Sequence, residues 1–395
     1  MLKIIKGAQV YSPEKIGNMD ILLIGDKIGR IAENIEVPSK NFMEVEVIDA
    51  KGKIMTPGFI DGHVHIAGGG GEGGPATRTP EAMLTGITRF GETTVVGCLG
   101  TDGTTRNMAG LLAKARALEK EGITTYIYTG SYQIPTRVIT DSPRNDIMLI
   151  DKVIGIGEIA ISDHRSSQPV VRDLLRLASE ARVGGLLSGK AGVLHLHVGD
   201  GKEKLDYLFE IIDGGEIPPS QMVPTHINRN RDLFLQAIEY AKRGGTVDIT
   251  SSIFPGREGG PEIKGSSALK AMLGEGVPET NITMSSDGFG SSPVFDKYGA
   301  LIKVGIGSVS SNHKEFCDSV LKEKIPISTA LKPLTSNVAD ILKLSSKGRI
   351  KEGLDADLLL LNADDLSIDT VIAKGKVMVS HGKPIVFGTF EDEKE

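Results

Sequence analysis

Histidine is scarce in this chain, with eight copies in 395 residues, yet several of the copies are grouped. His63 and His65 form an H-x-H, and His195 and His197 form a second one. Side chains two residues apart on a β-strand point to the same side of the sheet. His63 and His65 can therefore direct two imidazoles at one metal ion.

Two further metal-compatible side chains follow predicted strands. His226 ends the strand in VPTHIN, and Asp287 ends the strand in MSSDG. A single H-x-H can be a structural pair, and a lone aspartate in a loop is usually a turn or capping residue. The ordered set, in which each member closes a strand, favours a metal site instead. We expect His197 to belong to this site and His195 to pack or hydrogen-bond beside it.

The segment from about Pro57 to Ser345 must position these residues. It alternates strand-like stretches, such as TTVVGCLG and AGVLHLHVGD, with helix-like stretches, such as NMAGLLAKARALEKEG and DLFLQAIEYAKRGG. Counting GFIDGHVH as the first strand gives about eight β–α units, a pattern and length typical of an α/β fold of the (β/α)8 TIM-barrel class. Four strand ends then offer metal-compatible side chains to one mouth, since the carboxyl ends of barrel strands face the active site.

The two ends of the chain have a different pattern. LKIIKGAQVY and DILLIGDKIGRIAENI near the start, and DTVIAKGKVMVSHGKPI near the end, read as short strands separated by Gly and Asp turns. We expect both termini to pair into one small β-sandwich domain. The predicted boundaries are 1–56 and 346–395 for this domain and 57–345 for the barrel.

Composition limits the function classes. Hydrophobic residues make up 39% of the chain and charged residues 24%, as in packed globular proteins. The net charge is −6 and no long basic block occurs, so no nucleic-acid partner is expected. No apolar run reaches bilayer length and no signal peptide is recognisable, which predicts a cytoplasmic protein without a membrane partner. Cys98 and Cys317 are predicted to be reduced core residues.

Several segments resemble a known family. GFIDGHVH and the late GRIKEGLDADLLLL resemble the two ends of amidohydrolase-superfamily barrels, which join a metal-bearing barrel to a small β domain. GGGGEGGPATRTPE, GCLGTDG, GSYQIPTR, AISDHRSS, PTHINRN and SSDGFGSSP resemble the bacterial isoaspartyl dipeptidases over nearly the whole chain. The resemblance implies a metallo-dipeptidase that hydrolyses the β-linked amide of small dipeptides, β-Asp-X, and a symmetric homo-oligomer.

The resemblance also implies the catalytic metals. Two divalent ions, expected to be zinc, would be held with a hydroxide between them by His63, His65 and Asp287 on one side and by His197 and His226 on the other. Histidine and carboxylate ligands also allow cobalt, manganese or iron. Asp287 would take the proton of the hydroxide and pass it to the leaving amine. Tyr132 would hydrogen-bond the carbonyl oxygen in the transition state.

One position departs from the family pattern. The family bridges its metals with a carboxylated lysine on the fourth strand, seven residues before the arginine of the DHR segment. Glu158 occupies that position here, and no lysine lies in the strand. A glutamate supplies the same charge and two oxygens, but its side chain is shorter, and the preceding segment leaves room for a β-bulge. We predict that Glu158 bridges the metals; the alternatives are a single-metal site and a purely internal barrel glutamate.

The resemblance further implies substrate contacts. An isoaspartyl dipeptide carries a free α-ammonium and a free α-carboxylate beside its β-linked amide. Glu72 matches the residue that pairs with the ammonium, and Arg165 and Arg229 match the arginines that hold the carboxylate, a group that a guanidinium binds with two hydrogen bonds. Further contacts are expected from Gly70, Thr101 and Ser291.

Two other functions fit parts of this pattern. Another amidohydrolase, acting on cyclic amides or N-acyl amino acids, would share the metal chemistry without needing Glu72, Tyr132 or the two arginines. A non-catalytic scaffold built on the same barrel would be expected to have lost metal ligands. Here only the bridging position is changed, and it is changed to another metal-binding residue.

Overall fold

The computed structural model describes residues 2–39, 44–256, 262–296 and 300–392. The strands are β1 (Leu2–Tyr11), β2 (Lys15–Ile24), β3 (Lys27–Ala32), β4 (Val45–Asp49), β5 (Lys53–Pro57), β6 (Phe59–Val64), β7 (Glu92–Gly97), β8 (Thr124–Thr129), β9 (Val153–Ile161), β10 (Val193–Val198), β11 (Met222–Thr225), β12 (Val247–Thr250), β13 (Ile282–Ser285), β14 (Ser291–Phe295), β15 (Leu301–Ile306), β16 (Leu358–Asn362), β17 (Ile368–Ala373), β18 (Lys376–Ser380) and β19 (Lys383–Pro384). The α-helices are α1 (Thr85–Thr88), α2 (Met108–Glu121), α3 (Pro143–Leu149), α4 (Val171–Ser188), α5 (Asp206–Asp213), α6 (Arg231–Lys242), α7 (Gly265–Gly274), α8 (Ser310–Leu321), α9 (Ile327–Leu331) and α10 (Ser336–Ile341).

Both ends of the chain contribute to one nine-stranded sheet. Its order is β19-β18-β17-β16-β5-β1-β2-β3, and β4 lies off this path as a further parallel neighbour of β1. The two termini meet where β5 pairs antiparallel with β16. This sheet forms a β domain separate from the rest of the chain, so the prediction that the termini pair with each other is confirmed.

The strand β16 explains how this domain joins the main unit. Its sequence LLLLN is buried almost throughout, because apolar side chains leave the strand on both faces. Leu358 and Leu360 pack into the core of the small domain, whereas Leu359 and Leu361 pack into the large core of the main unit. A continuous apolar run is therefore what this position requires.

The main unit contains a curled parallel sheet. Strands β6 to β11 follow one another in sequence order, and β12 and β13 form a second parallel pair. The two sheets approach each other on both sides, since β11 contacts β12 and β13 contacts β6. Just beyond the strand ends, the backbone N–H of His65 donates to the carbonyl of Gly288 across 2.9 Å. The carboxyl ends of these strands consequently face one common opening.

Helix caps fix the turns that follow these strand ends. Asn230 precedes α6 and its side chain accepts a hydrogen bond from the backbone N–H of Leu233 at 2.9 Å. Asn107 caps α2 in the same way through the N–H of Gly110. Such capping satisfies backbone donors that the helix itself leaves unpaired. Of the helices in the described ranges, none combines the length and the apolar character needed to cross a bilayer.

Candidate active site

A cavity of ≈ 490 Å³ opens at the carboxyl ends of the parallel strands. Most of the site residues predicted from the sequence line it: His65, Gly70, Glu72, Thr101, Tyr132, Arg165, His197, His226, Arg229, Asp287 and Ser291. The two remaining ones, His63 and Glu158, are fully buried and contact its lining residues Asp287 and His65. The structure therefore brings the whole predicted set together.

Glu158 occupies the centre of the histidine group. Its Oε1 lies 3.4 Å from Nε2 of His65, and its Oε2 lies 3.5 Å from Nε2 of His63. The same Oε2 is 3.2 Å from Nδ1 of His197 and 3.7 Å from Nε2 of His226. The Glu158 carboxylate thus contacts two histidine pairs, His63 with His65 and His197 with His226.

A local irregularity of the sheet accompanies this position. On β10 and β9, Leu194 pairs with Ile156 and Leu196 pairs with Ile159, so two residues of β9 lie opposite one residue of β10. This is the register change of a β-bulge, which re-aims side chains at strand ends. The sequence left room for a bulge before Glu158, and this register change spans Gly157 and Glu158.

Asp287 approaches the first histidine pair from the end of β13. Its Oδ1 lies 3.0 Å from Nε2 of His65 and 3.5 Å from Nε2 of His63. Burial alone would raise the pKa of Asp287, but the hydrogen bond with His65 and the nearby histidine charges lower it to about 2. The carboxylate is therefore ionised at neutral pH.

The backbone around these residues is conformationally demanding. Asp287 and His226 have positive φ angles of 53° and 64°, a region that non-glycine residues seldom adopt outside tight turns and functional sites. Gly290 lets the chain pass close by, because a methyl group there would lie 2.5 Å from Cδ2 of His65 and 2.6 Å from Oδ1 of Asp287. The loop after β13 is thus shaped to bring Asp287 to the histidines.

The donor atoms fit divalent metal ions. Two groups of buried side chains, His63/His65/Cys98/Glu158 and Glu158/His197/His226, each bring their ligand atoms within 4.8 Å of one another and share Glu158. Among the described residues, no hydrogen-bond partner serves Nε2 of His63 or Oε2 of Glu158, although both atoms are buried. An unsatisfied buried polar atom costs about 1–3 kcal/mol. A metal ion would use these lone pairs, and imidazole with carboxylate is a suitable donor set for it.

Side chains behind the histidines hold the rings in place. His226 shares a hydrogen bond of 2.7 Å between its Nδ1 and Oγ1 of Thr250, and Nδ1 of His65 lies 3.9 Å from Sγ of Cys98. Metal-binding histidines commonly use their second nitrogen in this way. Both cysteines of the chain are free, as predicted, but Cys317 is only partly buried and Cys98 belongs to the donor group rather than to the core alone.

Asp163 is a site residue that the sequence analysis missed. Its carboxylate accepts two hydrogen bonds from the guanidinium of Arg165, at 2.7 and 3.0 Å, and its Oδ2 lies 3.0 Å from Nε2 of His197. Although burial opposes ionisation, these contacts hold the pKa of Asp163 well below its usual range. The available signal was its place in the DHR segment, directly beside the predicted Arg165.

Tyr132 lies against His197, which belongs to the histidine pair His197 and His226. Its hydroxyl is 2.8 Å from Nδ1 of His197. The guanidinium of Arg165 lies over the ring of Tyr132, 5.4 Å from the ring centroid. Burial raises the pKa of Tyr132 well above 10, so the phenol remains protonated and able to donate a hydrogen bond.

Opposite charges meet on the wall of the cavity. Glu72 accepts hydrogen bonds from the hydroxyls of Thr101 (3.1 Å) and Ser291 (3.0 Å), and its Oε1 lies 3.4 Å from Nη1 of Arg165. Gly70 has a φ of 75°, and a methyl group there would lie 2.5 Å from the carbonyl oxygen of Thr77, so only glycine suits this turn. The wall presents an anion and a cation within reach of one small molecule.

Comparison with known proteins identifies the family. Sequence models of the amidohydrolase family match residues 46–130 and 190–378. The crystal structure of β-aspartyl dipeptidase from Fervidobacterium islandicum AW-1, in complex with β-Asp-Leu, is 46% identical, with a TM-score of 0.91 over 99% of this chain and 100% of that chain. The chain belongs to the β-aspartyl dipeptidase family. It is accordingly a hydrolase of the amidohydrolase superfamily.

More distant relatives share less with this chain. The dihydroorotase of Staphylococcus epidermidis is 37% identical over 94 residues, which cover 24% of this chain and only about a fifth, 21%, of that protein's length. The dihydropyrimidinase of Brevibacillus agri NCHU1002 is 16% identical, with a TM-score of 0.67 over 98% of this chain and 97% of that chain. The latter similarity concerns the fold alone.

Proposed function

We propose that this protein hydrolyses the β-linked amide of isoaspartyl dipeptides, β-Asp-X, in a metal-dependent reaction. The observation that carries the proposal is the pairing of Glu72 with Arg165, 3.4 Å apart, on the wall of a cavity with metal-donor side chains at its base. A β-Asp-X dipeptide carries an ammonium and a carboxylate on the same carbon atom, next to the amide to be cleaved. In α-Asp-X that carboxylate forms the peptide bond and the remaining β-carboxylate lies on the neighbouring carbon, so a wall that holds both charges of one carbon atom favours the β-linked substrate.

The charged groups of the substrate would replace the contact between the two side chains. Glu72 would receive the ammonium, with Thr101, Ser291 and the backbone at Gly70 completing its surroundings. Arg165, held in place by Asp163, would offer Nη1 to the carboxylate, and Arg229, which lines the same cavity, would be the second cation for that carboxylate. Charge-assisted hydrogen bonds of this kind are about twice as strong as neutral ones.

The base of the cavity would hold two divalent ions, with zinc the best match to the donor set. The proposed ligands are His63, His65 and Asp287 for one ion and His197 and His226 for the other, with Glu158 between the two. Bound ions would lower the pKa of water to about 7 and polarise the scissile carbonyl. The contacts of the Glu158 carboxylate with both histidine pairs support the bridging role.

Two side chains would act on the reacting atoms. Asp287, whose low pKa keeps it ionised, would accept the proton of the attacking water and deliver it to the leaving amine. Tyr132, whose phenol stays protonated, would donate a hydrogen bond to the carbonyl oxygen as negative charge develops there. Each residue is thus in the protonation state that its role requires.

We also propose the domain architecture predicted from the sequence, a closed barrel with a small β domain. The contacts of β11 with β12 and of β13 with β6 support a closed (β/α)8 barrel over 57–345. Segments 1–56 and 346–395 would form the small domain, with β-sandwich packing. A cytoplasmic homo-oligomer stays a prediction from the sequence.

The test is to count bound metals in the purified protein and to offer the same preparation β-Asp-Leu and α-Asp-Leu in parallel. We expect cleavage of the β-linked peptide only, with about two metals per chain. Cleavage with one metal per chain would retain the substrate assignment and overturn the Glu158 bridge. Hydrolysis of a cyclic amide or an N-acyl amino acid, with neither dipeptide cleaved, would favour the alternative amidohydrolase function.

A further inference from the structure

His195 is the histidine of the second H-x-H that lies outside the two groups of metal-compatible side chains. It is 2% exposed, and its Nε2 lies 2.8 Å from Nδ1 of His63. Its ring stacks on Tyr128, with a centroid distance of 4.8 Å and an interplanar angle of 16°. The ring of His195 is therefore held in one place, in contact with a proposed metal ligand.

The direction of the hydrogen bond between the two histidines follows from the other nitrogen of His63. Nε2 of His63 lies 3.5 Å from both Glu158 and Asp287, in the proposed metal site. To bind a metal, this nitrogen must offer a lone pair, so the proton of neutral His63 must lie on Nδ1. Nδ1 then donates, and Nε2 of His195 accepts.

We propose that His195 is a positioning residue that holds His63 in the tautomer and ring orientation required for metal binding. Metal-binding histidines usually donate their second N–H to a carboxylate, a backbone carbonyl or water, and these partners tune metal affinity. Here the imidazole of His195, on β10, takes that role for His63, on β6. The inference rests on the proposed metal site and adds to it a residue outside the ligand set.

The surroundings of the other ring nitrogen of His195, Nδ1, agree with Nε2 being the acceptor. If Nε2 accepts, the proton of neutral His195 lies on Nδ1, which has no hydrogen-bond partner among the described residues. His195 also borders a small cavity of ≈ 20 Å³, together with Asp248 and Thr283. The cavity, whose lining also includes the apolar Val223 and Leu342, has room for about one water molecule, which would accept a hydrogen bond from the N–H at Nδ1. The pair therefore has one consistent arrangement of protons.

The experiment compares three variants by zinc competition with a chelator. His195→Phe keeps an aromatic ring for stacking but removes the acceptor, and we expect roughly 10- to 100-fold weaker binding of one of the two ions. His195→Gln places an amide oxygen near the position of Nε2, and its affinity should remain close to that of the unmodified protein. His313→Phe is the matched control, because His313, on α8, shares a hydrogen bond with the carbonyl of Leu366 and its loss should leave zinc affinity unchanged.

A second readout separates positioning from general packing. Nitrogen NMR of the zinc-loaded protein should show His63 protonated at Nδ1 in the unmodified protein and in His195→Gln. Zinc binding by His195→Phe that equals that of the unmodified protein would overturn the inference, as would equal losses in the Phe and Gln variants. Failure of the unmodified protein to bind zinc would instead reject the proposed function, so the two failures are distinguishable.

Discussion

Nη1 of Arg165 lies 3.4 Å from Oε1 of Glu72 on the wall of the cavity, which is also lined by buried histidines. An ion pair that only stabilised the fold would not need to lie on the wall of a cavity. Asp163 holds the other side of the same guanidinium through two hydrogen bonds, so Arg165 can release Glu72 without losing its orientation. The pair is suited to exchange its mutual contact for contacts with a zwitterionic ligand.

Glu72→Gln tests the ammonium contact. The variant keeps the shape and loses the charge, and we expect kcat/KM for β-Asp-Leu to fall by about 10- to 100-fold, the loss that corresponds to a charge-assisted hydrogen bond. N-acetyl-β-Asp-Leu has no ammonium group and should discriminate poorly between the two enzymes. Steady-state kinetics with both peptides gives the comparison.

Glu81→Gln is the control for this variant, because Glu81 is exposed and pairs with Lys114 outside the cavity. Its kinetics should match those of the unmodified protein. An equal loss with the acetylated peptide in Glu72→Gln would show that the substitution disturbs the site as a whole and would reject the ammonium contact.

Because Glu158 stands in place of a carboxylated lysine, we predict that metal binding and activity do not depend on bicarbonate. A carboxylated lysine must acquire carbon dioxide before it can bind metals, whereas the glutamate already carries its carboxylate between the histidine pairs. Metal-free protein reloaded with zinc should therefore regain the same activity, and the same number of bound ions, with and without added bicarbonate. A large requirement for bicarbonate would contradict the bridging role.

Glu158→Gln complements this measurement. The amide lacks the negative charge that would be shared by two cations, so we expect fewer than two zinc ions per chain, with activity close to background. Thermal unfolding of the metal-free variant shows whether its fold is retained. Two tightly bound ions in this variant would reject the bridge.

Tyr132→Phe tests the proposed hydrogen bond to the carbonyl oxygen. Loss of one such donor lowers kcat by about 10²- to 10³-fold, and KM should change little because the bond strengthens only as charge develops. Burial raises the pKa of Tyr132 well above 10, so the phenol stays protonated below that pH. The ratio of the two kcat values should therefore be constant between about pH 6 and pH 9. Tyr207→Phe, on α5, serves as the control, and a ratio that changes steeply in this range would contradict the role.

The sequence indicates the proposed metal ligands more readily than the side chains that contact them from behind. His63 and His65 could be assigned because strand geometry fixes side chains two residues apart to one face, whatever the rest of the chain does. The contact of Asp163 with His197, and of Cys98 with His65, depends on which strands become neighbours and in what register. No local pattern encodes that register, and the β-bulge at Glu158 shifts it further. The same limit applies to His195, whose hydrogen bond to His63 joins residues far apart in the sequence.

Substitution of Lys347 tests how strongly the small β domain is joined to the main unit. Its buried ammonium donates to Oγ1 of Thr124 on β8 and to the carboxylates of Asp355 and Asp357, which precede β16. Burial alone would lower the pKa of Lys347, but the two carboxylates outweigh it and raise the pKa above the usual value. Lys347→Met leaves the buried carboxylate of Asp357 without its cation, whereas Asp355 keeps its ion pair with Lys27, and the free energy of unfolding should fall by roughly 3–5 kcal/mol.

The dependence of this effect on pH follows from the raised pKa. Because the folded pKa lies above the unfolded value of about 10.4, the full stabilisation is present below that pH and declines as pH rises through the folded pKa. Denaturant unfolding should give a constant difference between the two proteins from about pH 7 to pH 9 that narrows above about pH 10.4. Lys242→Met removes an exposed pair with Glu275 and should cost no more than about 1 kcal/mol. If both substitutions had the same small effect, Lys347 would not be what ties the small β domain to the main unit.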